Sequence, residues 1–196
     1  MKRTDDISIT ICNSNFLYNI SQSNRSSCLI FDLRAATEIE KKGTIIGAIR
    51  LNPLKLAENG KTSPDNHALD LASLIEQEIP DPLFEKLKHI MRNFCFLILS
   101  SQDIIKRDTW EEEDYVKVSL DDLLPGLVED SSREAERVNI ENGLEIYKAL
   151  HSQKVRELYV LGDGLENFLS KYPFLSTVKS GGEEKKGDLK QGKIPP

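Results

Sequence analysis

The sequence predicts a three-layer α/β sandwich, with helices on both faces of a central, mainly parallel sheet of about five strands. Three observations predict it. Short, continuous apolar runs recur as CLIFD (28–32), FCFLIL (94–99) and ELYVL (157–161), a pattern that suits strands buried on both faces of a parallel sheet. Stretches with helical spacing separate these runs, so strands alternate with helices. Glycine or proline marks several of the boundaries.

Taken in order, ISITIC (7–12) alternates apolar and polar residues and predicts a short edge strand. Asn13 or Ser14 can cap the helix that follows, with Phe16, Leu17 and Ile20 on one face. SQSNRSS is a loop by composition. After CLIFD, residues 37–42 read as a short helix with Gly43 as its stop, and IIGAIRL as a second strand. Helical material fills 64–92: HALDLASLIEQEI, then LFEKLKHIM after the break at Pro80 and Pro82. FCFLIL is the most apolar run and the best candidate for the central strand. A helix from Asn139 (NIENGLEIYKAL), the strand ELYVL and the helix GLENFLSKY complete the domain, and Pro173 ends the last helix.

Two regions stand apart from this alternation. Residues 102–138 are strongly acidic (EEED, DD, EDSSREAE) and hold one short apolar patch, YVKVSL, which predicts a partly disordered insertion. Residues 179–196 have almost no apolar content and predict a flexible tail. The expected organisation is a single domain over 1–178, with the insertion inside it and the tail behind it.

Composition narrows the function classes. The 196 residues are 39% hydrophobic and 30% charged, ordinary for one soluble domain with a proper core. A net charge of -6 leaves no basic stripe to neutralise phosphates, which argues against nucleic acid as a partner. No apolar run approaches the length that spans a bilayer, and MKRTDDISIT lacks the apolar segment of a signal peptide, so no membrane association is expected. Cys12, Cys28 and Cys95 are dispersed without a CxxC pair; they read as buried, reduced thiols of a cytoplasmic protein, with the nucleus as an alternative. His67, His89 and His151 are equally scattered, so neither a metal nor another cofactor is expected.

The run DLR…EIEKKGTIIGAIRLNP resembles the rhodanese-like domain family, whose pattern is Asp-x-Arg, a short helix, then Gly-His-Ile-x-Gly-Ala. Asp32 and Arg34 match the first pair; Gly43, Ile45, Gly47 and Ala48 match the second motif, with one extra residue between the two and Thr44 in place of the histidine. LYVLGDGLENFLSKYP is similar to the family's closing strand, Gly-Gly turn and aromatic-bearing helix, in the version found at the N-terminus of MAP-kinase phosphatases. Gly164, Glu166, Phe168, Tyr172 and Pro173 match there, and Asp163 replaces the first glycine. Together the two motifs place the resemblance over roughly residues 7–175. Asp32, Arg34, Gly47 and Gly164 are therefore its framework positions. Physically, Asp32 can accept nearby backbone N–H bonds or pair with Arg34, and Gly47 can allow close packing at the start of a strand.

The resemblance also implies where chemistry would sit. Active members carry a cysteine directly after the central strand, in a tight loop whose inward N–H groups lower its pKa. Here FCFLIL runs into Ser100, Ser101, Gln102 and Asp103, a degenerate version of that loop. A serine hydroxyl cannot carry a persulfide, and as a nucleophile it needs a base, which no histidine in the loop supplies. The loop also lacks glycine and gathers acids that repel an anion. Cys95 lies inside the strand, five residues early. CLIFDLR satisfies the Cys-x5-Arg spacing of phosphatase loops, but LIFDL is bulky and β-prone and pairs in a sheet instead.

A catalytically inactive module, a pseudoenzyme that binds a protein in a regulatory role, is the resulting expectation. Kinase or phosphatase signalling is the setting the resemblance suggests. Lys86, Lys88 and Arg92 on one predicted helix, and Trp110 within the acidic insertion, are the candidate partner-binding residues. The rival expectation is an active sulfurtransferase or rhodanese-like phosphatase that uses one of the three cysteines from an unusual position.

Overall fold

The computed structural model describes residues 8–23, 28–52, 94–105, 113–120, 122–123, 134–152, 155 and 157–178. Six strands and four α-helices are placed: β1 (Ser8–Cys12), α1 (Ser14–Ser23), β2 (Cys28–Asp32), α2 (Ala36–Lys42), β3 (Ile49–Arg50), β4 (Phe94–Ile98), β5 (Tyr115–Ser119), α3 (Glu134–Ser152), β6 (Glu157–Leu161) and α4 (Gly164–Lys171). A 3-10 turn, Pro173–Leu175, follows. The fold is α/β. One sheet runs in the order β3-β2-β4-β6-β1-β5, parallel throughout except for the β1–β5 pair.

Continuous apolar runs become the interior strands because both sheet faces are covered. On one face α3 buries Ile140, Leu144, Tyr147 and Leu150 against Phe31, Leu97 and Val160. On the other, Leu17 of α1 and Leu165 and Phe168 of α4 pack with Ile30, Phe96 and Ile98. β4 and β6 lie at the centre, as the apolarity of FCFLIL predicts. Asn13 caps α1: its side-chain oxygen accepts the Phe16 N–H at 2.9 Å.

Four expectations are corrected here. The sheet has six strands where about five were expected, because YVKVSL is a strand of it. β1 is consequently interior, with β5 on one side and β6 on the other. Within 102–138 the described residues include β5 and the first turn of α3, which starts at Glu134 rather than Asn139. Finally, Gly47 does not serve close packing, since a Cβ there would meet nothing within 4 Å. Its φ of +85° is the reason for glycine: it occupies the third position of a tight turn closed by the Ala48 N–H to the Ile45 carbonyl at 3.0 Å.

The parallel contact between β1 and β6 is short. It covers Ile11 opposite Val160 and Cys12 opposite Leu161. Ahead of those pairs the Tyr147 hydroxyl accepts the Thr10 N–H at 3.0 Å, a bond from α3 into the edge of β1.

The expected helices of 64–92 and the expected tail of 179–196 lie outside the described residues. Among the described residues no helix is long and apolar enough to cross a membrane.

Candidate functional site

The candidate site lies at the carboxyl ends of β2 and β4, where an open parallel sheet places its loops. Asp32 is the last residue of β2 and is fully buried; Arg34 is 2% exposed. The two form a two-pronged pair: Arg34 Nε donates to Asp32 Oδ1 at 2.9 Å and Nη2 to Oδ2 at 2.7 Å. The Arg34 backbone N–H also donates to Asp32 Oδ1, at 3.2 Å. Asp32 therefore both accepts a backbone N–H and pairs with Arg34.

The rest of the guanidinium is equally committed. Nη2 donates to the Gly43 carbonyl at 2.6 Å and Nη1 to Ser101 Oγ at 2.7 Å, with Glu38 4.0 Å from Nη1. Thr44, buried, donates its hydroxyl to Asp32 Oδ2. This closed network joins the end of β2, the end of α2 and the loop after β4. Arg34 also borders a cavity of about 220 Å³, shared with Ile39, Glu40, Arg50 and Leu51. With its nitrogens engaged, Arg34 has little left to offer an anion there.

Ser100 and Ser101 follow β4 directly and are both 1% exposed. Ser100 Oγ donates to Glu136 Oε1 on α3 and accepts the Gln102 N–H at 2.9 Å. The Ser100 and Ser101 carbonyls accept the N–H groups of Leu165 (3.3 Å) and Glu166 (2.9 Å), in the first turn of α4. These are the donors with which a helix N-terminus holds an anion. Here two of them are satisfied by the chain itself. Gly164 makes the approach possible: with φ +72°, its Cβ position lies 2.4 Å from the Gln102 carbonyl carbon and 2.6 Å from the Ser101 oxygen. Gln102 is exposed and Asp103 half-buried.

Asp163 is a contributor that sequence reasoning noted only as a replaced glycine. It is 3% exposed and accepts the Ser14 N–H at 3.1 Å, the Ser14 hydroxyl at 2.9 Å and Asn167 Nδ2 at 2.6 Å. The turn before α4 is thereby fastened to the start of α1. A charged residue between two glycines was the only signal, and it does not distinguish an exposed turn from a buried acceptor.

None of the three thiols is at this loop. Cys12 is buried at the end of β1, and burial, then the Asp163 carboxylate, pushes its pKa well up. Cys95 is buried inside β4, and burial first, then Cys28, pushes it up to about 12. Cys28 is half-buried at the opposite end of β2 from Asp32, beside a groove of about 370 Å³ lined by Ile30, Ile45, Ile46 and Leu175. Burial pushes it up to about 12 as well. CLIFD pairs with β4 along its whole length and does not curl into a phosphate loop.

The structure thus brings Asp32, Arg34, Thr44 and Ser101 into one network, and Ser100, Gln102 and Gly164 into the adjoining contact. Gly47 stands apart in its turn. Lys86, Lys88, Arg92 and Trp110 lie outside the described residues. Among the described residues no group of three or more His, Cys, Asp or Glu is placed to hold a metal ion. No family model matches the chain, and no curated protein matches it.

Proposed function

We propose that this chain is a catalytically inert, rhodanese-like binding module that engages a protein partner in a regulatory role. One observation carries the reading. At the point where β4 ends, where the family's nucleophile would stand, there is a buried Ser100–Ser101 pair, and Arg34 Nη1 and the Leu165 and Glu166 N–H groups beside it are taken up internally. Sulfur transfer needs a thiolate in a cradle of free N–H groups. The Asp32–Arg34 network favours a scaffold role because its charges are satisfied by each other and by neighbouring loops. Kinase or phosphatase signalling is proposed from the resemblance alone.

The test is turnover. Purified protein given thiosulfate and cyanide should yield no thiocyanate above a protein-free blank, and intact-mass spectra should show no persulfide. Robust turnover abolished by a single Cys→Ser change would establish the rival reading instead. Cys28 is the first residue to change, being less buried than Cys12 and Cys95.

A further inference from the structure

We propose that residues 175–178 are a releasable strap that clamps the loop 43–46 over the Asp32–Arg34 pair, so that whatever engages the strap acts on the buried network. The inference goes beyond the binding-module reading and does not depend on it.

The strap is a short piece of antiparallel ladder. Ser176 lies opposite Ile45 in an isolated bridge. Two backbone bonds flank that pair: the Ile46 N–H donates to the Leu175 carbonyl at 2.8 Å, and the Thr177 N–H to the Thr44 carbonyl at 2.9 Å. The Thr177 hydroxyl oxygen accepts the Thr44 N–H at 3.0 Å. Gly43 lets the strap lie this close. A Cβ there would stand 2.7 Å from Val178 Cγ2 and 3.2 Å from Thr177 Oγ1.

Thr44 is the coupling residue. Thr177 holds both its backbone groups, while its hydroxyl donates to Asp32 Oδ2. Its neighbour Gly43 gives its carbonyl to Arg34 Nη2 at 2.6 Å. Two residues of one loop thus meet the strap on one side and both members of the ion pair on the other. Coupling through a shared element is reciprocal: loosening either side loosens the other.

The two sides differ in how firmly they are held. Asp32, Arg34 and Thr44 are at most 2% exposed. On the strap, Thr177 and Val178 are exposed and Leu175 and Ser176 half-buried, and Phe174 just before it is 64% exposed. A segment with two ladder bonds and little buried apolar surface opens locally before the fold around it does. Leu175 is also a wall of the groove beside Cys28, together with Ile45 and Ile46. Release of the strap therefore widens the approach to that thiol as it loosens the network.

The experiment is native-state hydrogen exchange of the full chain by NMR, following the amides of Thr44, Ile46 and Thr177 and the Arg34 Nε–H. The rate at which N-ethylmaleimide labels Cys28 is read alongside by mass spectrometry. Two variants act from opposite sides: Thr177→Pro removes the N–H and the hydroxyl that hold Thr44, and Thr44→Val removes only the hydroxyl that reaches Asp32. Thr177→Pro should speed exchange at Thr44, Ile46 and Arg34 Nε–H, and labelling of Cys28, each at least about fivefold. The amides of Leu29 and Phe96, in the β2–β4 ladder, should be unchanged. Thr44→Val should speed exchange at Thr177 by a similar factor. Unaltered exchange at Arg34 Nε–H or at Thr177 overturns the coupling, and unaltered labelling of Cys28 overturns the release. Equal acceleration at Phe96 also overturns the proposal, because strap and core would then open as one unit. Should Thr177→Pro fail to fold by circular dichroism, Thr177→Val, which takes away only the acceptor of the Thr44 N–H, decides by the same readings.

Discussion

Arg34 shows how a single side chain can settle the character of a site. A guanidinium has five N–H donors in a fixed fork, and here the fork meets Asp32, the Gly43 carbonyl and Ser101 Oγ. Replacing Arg34 with Ala leaves the fully buried Asp32 carboxylate without its cation. The expected cost is about 3–5 kcal/mol in a urea unfolding series. Arg34→Lys should recover only part of this, since an ammonium cannot make the paired contact. A loss below about 1 kcal/mol for the Ala variant would mean that the pair is no more than a surface-strength interaction. At this scale the sequence was half legible. Two residues apart at a strand's end, Asp32 and Arg34 could be expected to meet. Thr44 and Ser101 join them through the fold, and no local pattern shows that. The same holds for Asp163, whose partner Ser14 lies 149 positions away.

Among the elements, the contact between the β4 exit and the α4 N-terminus is the most constrained. Gly164 combines positive φ with a Cβ direction that points into the Ser101–Gln102 backbone. Gly164→Ala should therefore cost at least about 2 kcal/mol in thermal or chemical unfolding. An unchanged midpoint would show that the loop can retreat. Strand existence was legible wherever burial on both faces produced an unbroken apolar run, as in β2, β4 and β6. β5 was missed as a strand because its alternation is only five residues long and acids flank it on both sides. The charged first turn of α3 likewise concealed the start of that helix. Yet this is the turn from which Glu136 reaches Ser100.

For the molecule as a whole, the closed polar network and the apolar core gather at the centre of the sheet, β2-β4-β6, and β5 lies two strands away from it. Fold class was readable from the alternation of apolar runs with helical stretches, because those periods follow from burial alone. Strand order was not, because pairing partners are chosen by three-dimensional packing.

The brief meeting of β1 with β6 has a dynamic consequence. Five residue pairs bind β1 to β5 and five bind β2 to β4, but two join the two groups of strands, with Tyr147 as a rivet beside them. The β1–β5 ribbon should open as a cooperative unit before the remainder unfolds. In native-state hydrogen exchange, the amides of Ile9, Ile11, Val116 and Val118 should share one opening free energy, below that of Leu29, Phe96 and Tyr159. A single common value for both groups would mean that the two pairs, the tyrosine and the Ser14–Asp163 bonds suffice to weld the sheet into one.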